Sequence, residues 1–157
     1  FLLYKELGIG VGWFGVLFAV FQLAGALGGS RAHAFSERFG AKTALYLALL
    51  SPVFYILLGL LPSLWLLPLV PANALLWNLA YPVLLERLNL AVGSDVRATV
   101  LSLAGMAGSV AFIIVSPLFG RLVDAVSLSA AFVALGALFL LAGAPLLAAT
   151  LRHWQEG

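Results

Sequence analysis

Residues 43–85 read TALYLALLSPVFYILLGLLPSLWLLPLVPANALLWNLAYPVLL and contain no charged side chain. A helix needs roughly 20 apolar residues to cross a hydrocarbon core of about 30 Å, and this run is about twice that length. Leu61-Pro62-Ser63 lies near its middle. Proline removes a backbone donor and favours a turn, so the run divides into two spans, 43–60 and 65–87. Working outward, the uncharged stretch Leu7–Ser30 predicts a helix over 8–32, Ala98–Gly120 one over 96–120, and Ala125–Leu151 one over 127–151. The chain is therefore predicted to be all-α, a polytopic membrane bundle of five transmembrane helices forming a single membrane domain over 1–157.

Composition supports the same class. Hydrophobic residues make up 64% of the chain and charged residues 9%, with a mean hydropathy of +1.14. A soluble domain carries roughly 25% charged residues because its surface must face water. The net charge is +2, yet the basic residues are scattered singly between apolar runs rather than clustered as a nucleic-acid interface requires. With no cysteine there is no disulfide framework, thiolate metal site or cysteine nucleophile. Phe1 at the start and the lack of a charged stretch before a short apolar core read as a fragment or processed piece without a signal peptide. His-Glu-x-x-His, Gly-x-Ser-x-Gly and P-loop motifs are absent from the sequence, so no enzyme activity, cofactor or metal is expected. His33 falls in a loop and His153 near the end, where a solvated imidazole is expected.

The charges between spans give an orientation. Arg31, Arg38, Lys42, Arg87, Arg97 and Arg152 fall on one side if every span crosses, and only Lys5 and Arg121 on the other. The positive-inside rule makes the first side cytoplasmic, with the N-terminus of the fragment outside and the C-terminus inside. Small residues at i,i+4, namely Gly8/Gly12, Gly25/Gly29 and Ala104/Gly108, are candidates for close helix contact. Pro52, Pro71, Pro82, Pro117 and Pro145 fall within spans and predict kinks.

No charged residue lies in the middle of a span, so no proton relay is expected here. Uncharged polar residues are unevenly shared. The first span has Gln22 at depth. The third has Asn73, Trp77 and Tyr81 at i,i+4,i+8 with Asn78 beside them. The fourth has Ser102, Ser109 and Ser116 at intervals of seven. Rise per residue puts Gln22, Trp77, Asn78 and Ser109 near one mid-membrane level. The first, third and fourth spans are thus expected to turn polar faces to a common interior, and the second and fifth to face lipid. Gln22, Asn73, Trp77, Asn78, Tyr81, Ser102 and Ser109 are the candidate substrate-lining residues. The other reading is that these groups only hydrogen-bond neighbouring helices.

The stretch His33-Ala34-Phe35-Ser36-Glu37-Arg38-Phe39-Gly40-Ala41-Lys42 resembles the loop motif Gly-x-Leu-Ala-Asp-Arg-x-Gly-Arg-Lys of the major facilitator superfamily. Glu37 stands at the acidic position; Arg38, Gly40 and Lys42 match, whereas His33 and Ala41 depart. Asp95-Val96-Arg97-Ala98-Thr99-Val100-Leu101-Ser102 and the exit Ser116-Pro117-Leu118-Phe119-Gly120 are similar to the eleventh helix of many bacterial members. The resemblance implies helices eight to twelve of a twelve-helix transporter, part of its C-terminal six-helix half, in a bacterial cytoplasmic membrane. It implies as partners the lipid bilayer, a small-molecule substrate and the N-terminal half of the same transporter. It further implies a cytoplasmic gate of Glu37, Arg38, Gly40, Lys42, Arg87, Asp95 and Arg97, with the acid facing a helix N-terminus of the other half. The function expected is secondary transport of a small organic solute by alternating access, with drug or metabolite efflux preferred. Sugar or metabolite uptake on the same fold, and a non-transporting membrane scaffold, are the alternatives.

Overall fold

The computed structural model describes residues 2–156, with side chains through Arg152. Its elements are α1 (Leu2–Glu6), α2 (Phe14–Phe39), α3 (Ala41–Leu60), α4 (Leu69–Ala91), α5 (Arg97–Ala125) and α6 (Leu128–Glu156), with 3₁₀ turns at Val11–Trp13 and Leu64–Leu66. Among the described residues the chain is all-helical, and five helical segments of 20 to 29 residues are long and apolar enough to cross a membrane. At 1.5 Å per residue, even the shortest spans about 30 Å. The architecture is that of a membrane helix bundle.

Helix boundaries differ from the sequence reading where glycine, proline and charge decide them. The first long helix starts at Phe14 rather than near residue 8, because Gly8, with φ +74°, ends α1 instead of opening α2. At its other end α2 runs through His33, Glu37 and Arg38 to Phe39, so most of the stretch read as a loop is helical. A helix whose apolar part ends in the membrane can extend into the headgroup region, where its charges are solvated. Only Gly40 separates α2 from α3, and its φ of +79° and ψ of 151° fall in a region essentially restricted to glycine. The third long helix begins at Leu69 rather than 65, preceded by Pro68 and with Pro71 in its first turn, where the missing N–H groups are not needed.

Two apolar clusters mark opposite ends of the bundle. Ala32, Ala41, Ala44, Ala80 and Val83 join the end of α2, the start of α3 and the latter part of α4. Leu3, Leu58 and Leu128, with Leu69, Val70, Phe119 and Val123 packed against them, join α1 to the other ends of α3, α4, α5 and α6. The long helices therefore alternate in direction. Laterally the packing runs α2 to α4, α4 to α3, α3 to α6 and α6 to α5.

Close approach occurs at particular glycines. A Cβ on Gly28 of α2 would collide with the Leu75 carbonyl of α4. A Cβ on Gly136 of α6 would come within 2.6 Å of the Pro52 carbonyl, and one on Gly59 of α3 within 2.6 Å of the Ser129 carbonyl. Of the glycines read from the sequence, only Gly25 sits tightly, against Asn78; Gly29 is looser and Gly8, Gly12 and Gly108 meet nothing. In lipid, shape and close backbone contact drive helix association more than polarity does. Accordingly α3 and α6, with Gly59 and Gly136 at their interface, pack against each other more closely than α5, whose Gly105 and Gly108 meet nothing, packs against any neighbour.

Candidate functional site

The polar stripe of α4 is divided in the structure. Asn73 turns toward α3, where its Nδ2 donates to the Tyr55 hydroxyl at 3.3 Å. Trp77 and Tyr81, one and two turns further on, stack with ring centroids 5.9 Å apart and remain 45% and 46% exposed. Asn78 turns toward α2: it lies against Gly25, and its Nδ2 donates to the Ala74 carbonyl at 2.9 Å.

A half-open cavity of about 630 Å³ lies between α3, α4 and α6, touched by Phe21 of α2. Asn73, Trp77 and Asn78 are on its wall. So are Ser51 and Tyr55 of α3 and Thr150 of α6, which the sequence reading did not place at a site. Tyr55 packs between α6 aromatics, its ring 6.2 Å from Phe132 and 6.4 Å from Phe139. The signal for them in the sequence is the i,i+4 pair Ser51 and Tyr55 beside Pro52, a small polar stripe on an otherwise apolar helix. The Ser51 Oγ and Asn73 Oδ1 atoms are buried with no hydrogen-bond partner among the described residues.

Gln22, Tyr81, Ser102 and Ser109 lie outside this cavity. Gln22 is exposed on α2, and both serines are exposed on α5, which buries none of its residues. Ser109 Oγ donates to the Gly105 carbonyl at 3.1 Å, within its own helix. The expected convergence of α2, α4 and α5 is thus not an enclosed pocket within this chain. The polar side chains of α2 and α5, and Tyr81 of α4, instead occupy exposed surface, while α3 and α6, expected to face lipid, wall the cavity together with α4. The reason is the close α3–α6 packing at Gly59 and Gly136, which brings α6 alongside α3 on the side of the cavity opposite α2.

The loop-motif residues lie at the end of the bundle marked by Ala32 and Ala41. Glu37 is exposed and its Oε1 lies 3.4 Å from His33 Nε2, one turn back. The Arg38 guanidinium sits 5.4 Å from the centroid of the Phe39 ring. Gly40 forms the joint and Lys42 is exposed in the first turn of α3. Arg87 is exposed near the end of α4, and Asp95 is exposed in the turn before α5. Arg97 opens α5 and donates from Nη2 to the Val92 carbonyl at 3.4 Å, while its Nε is buried and unpartnered among the described residues. The His153 side chain lies outside those described.

No family model, curated protein or solved structure matches the chain. Among the described residues no group of three or more His, Asp or Glu side chains is placed to hold a metal ion.

Proposed function

We propose that the chain is part of a secondary transporter of the major facilitator type, which moves a small organic solute by alternating access. The observation that carries this reading is the exposure of Gln22, Trp77, Tyr81, Ser102 and Ser109 on helices apolar enough to cross a membrane. An amide such as that of Gln22 facing hydrocarbon loses its hydrogen bonds to water, whereas a wet cavity between two bundles preserves them. The exposed face is uncharged and aromatic at Trp77 and Tyr81, which favours an uncharged solute and drug or metabolite efflux. Sugar uptake would use the amides of Gln22 and Asn78. The membrane is then the bacterial cytoplasmic membrane, with the end carrying Arg38, Lys42, Arg87 and Arg97 inside, the N-terminal end of this stretch outside and Glu37 directed at the other half of the transporter.

A scaffold without transport is the second reading, favoured by Asn78 and Ser109, which spend hydrogen bonds within their own helices. Sided labelling separates the two without knowledge of the substrate. In the whole protein, Gln22→Cys should react with a membrane-impermeant maleimide from either face of the membrane. An imposed ion gradient should shift the balance between faces. Reaction from neither face, or from one face only under every gradient, would exclude alternating access.

A further inference from the structure

From Ala98 to Leu151 the sequence holds two charged residues, Arg121 and Asp124. They lie three apart near the end of α5, both exposed, and neither forms an ion pair among the described residues. Side chains at this spacing stand about 5–6 Å apart at Cβ, close enough to join. The guanidinium and the carboxylate are instead neighbours that do not engage each other.

Beside them α5 and α6 part. Phe119 turns inward against Phe132, with ring centroids 5.6 Å apart, and closes the side toward the bundle. Outside that contact lies a groove of about 120 Å³, walled by Val115, Leu118 and Leu122 of α5 and by Ala131, Ala134 and Leu138 of α6. The two alanines are too short to meet the side chains across from them, and all of the lining is apolar. Seven residues along either helix rise about 10 Å, two thirds of one leaflet's hydrocarbon depth of about 15 Å. The groove ends level with Arg121, so it begins where lipid headgroups lie and runs inward. Its open side carries Leu118 and Leu138, 57% and 51% exposed, and leads to the outward-facing Leu141 one turn deeper on α6.

We propose that this end of α5 and α6 binds one phospholipid whose headgroup joins a phosphate to a primary ammonium, as in phosphatidylethanolamine. One acyl chain lies in the groove, the phosphate meets Arg121 and the ammonium meets Asp124. Charge complementarity selects this occupant: a wholly apolar slot ends beside one cation and one anion at headgroup level. A guanidinium presents paired N–H groups to two phosphate oxygens, and a carboxylate accepts from an ammonium. The two-carbon bridge between phosphate and ammonium suits side chains one helical turn apart. A choline headgroup has no N–H to give Asp124, and a glycerol headgroup has no cation. The inference goes beyond the transport reading and shares no residue with it.

The test is native mass spectrometry of the whole protein in detergent, titrated with phosphatidylethanolamine, phosphatidylcholine or phosphatidylglycerol of identical acyl chains. The first lipid should bind at least about fivefold more tightly than the other two. Asp124→Asn should abolish that preference by weakening phosphatidylethanolamine alone, and Arg121→Gln should weaken all three. Arg152→Gln, at the other end of α6, should leave the preference intact. Both substituted residues of the site are exposed, so neither change threatens the fold. Equal affinity for the three lipids, a preference that survives Asp124→Asn, or binding indifferent to Arg121→Gln would each overturn the proposal. A phosphatidylethanolamine with a photoreactive diazirine in its acyl chain then places the chain without any substitution. Cross-links within 115–122 or 131–138 support the groove, and cross-links only elsewhere overturn it.

Discussion

At the scale of single residues, closeness rather than polarity decides what matters. Gly28 has the Leu75 backbone carbonyl directly over its Cα, and a backbone atom cannot swing aside as a long side chain can. Gly28→Val should therefore destabilise the bundle by at least about 1–3 kcal/mol, the usual range for overpacking. Gly108→Val, with nothing nearby on α5, should leave stability unchanged; thermal unfolding in detergent of the two variants checks the contrast. Tyr55→Phe removes the acceptor of the Asn73 amide but keeps the ring against Phe132 and Phe139. Interhelical hydrogen bonds in membranes average about 0.6 kcal/mol and reach about 1.7, so a loss in that range is expected in denaturant titration. Periodicity placed Asn73 and Trp77 on one face of α4, and both line the cavity. It could not show that Asn73 turns to α3, because that depends on where Tyr55 of another helix stands. Nor does i,i+4 spacing identify which glycines meet a neighbour: Gly28 was passed over, and Gly8 proved to be a helix end.

At the scale of elements, the long apolar helices were legible because lipid imposes a length and an apolar composition that few other structures share. The proline at Pro62 correctly divided the longest uncharged run. The joint between α2 and α3 was less legible. Charges at Arg31, Glu37 and Arg38 read as a loop, but a helix emerging from lipid can carry charge, and the break falls at Gly40 alone. Because that residue's φ and ψ suit only glycine, Gly40→Ala should cost about 1–3 kcal/mol. It should also alter the angle between α2 and α3, measurable as a changed distance distribution between spin labels at Leu27 and Leu50, both exposed. Which helices occupy the centre was illegible for a related reason. The serines nominate α5, whereas α3 and α4 have the most helix neighbours, and the complementarity that packs them, such as Gly136 of α6 against Pro52 of α3, is not written in either helix separately.

At the scale of the whole molecule, the bundle presents two kinds of surface. Leu141 on α6 is a large apolar side chain, 77% exposed, outside the cavity and with nothing polar to serve. Gln22 on α2 and Ser102 and Ser109 on α5 are equally uncovered yet polar, and the proposed function assigns them to water rather than lipid. Nitroxide labels at Gln22, Ser109 and Leu141 in the whole protein, reconstituted in lipid, report that division through collisions with oxygen and with a water-soluble nickel chelate. The labels at Gln22 and Ser109 should collide more with the chelate, and the label at Leu141 more with oxygen. Preference for oxygen at all three positions would place the polar faces in hydrocarbon and contradict a wet pathway through this protein.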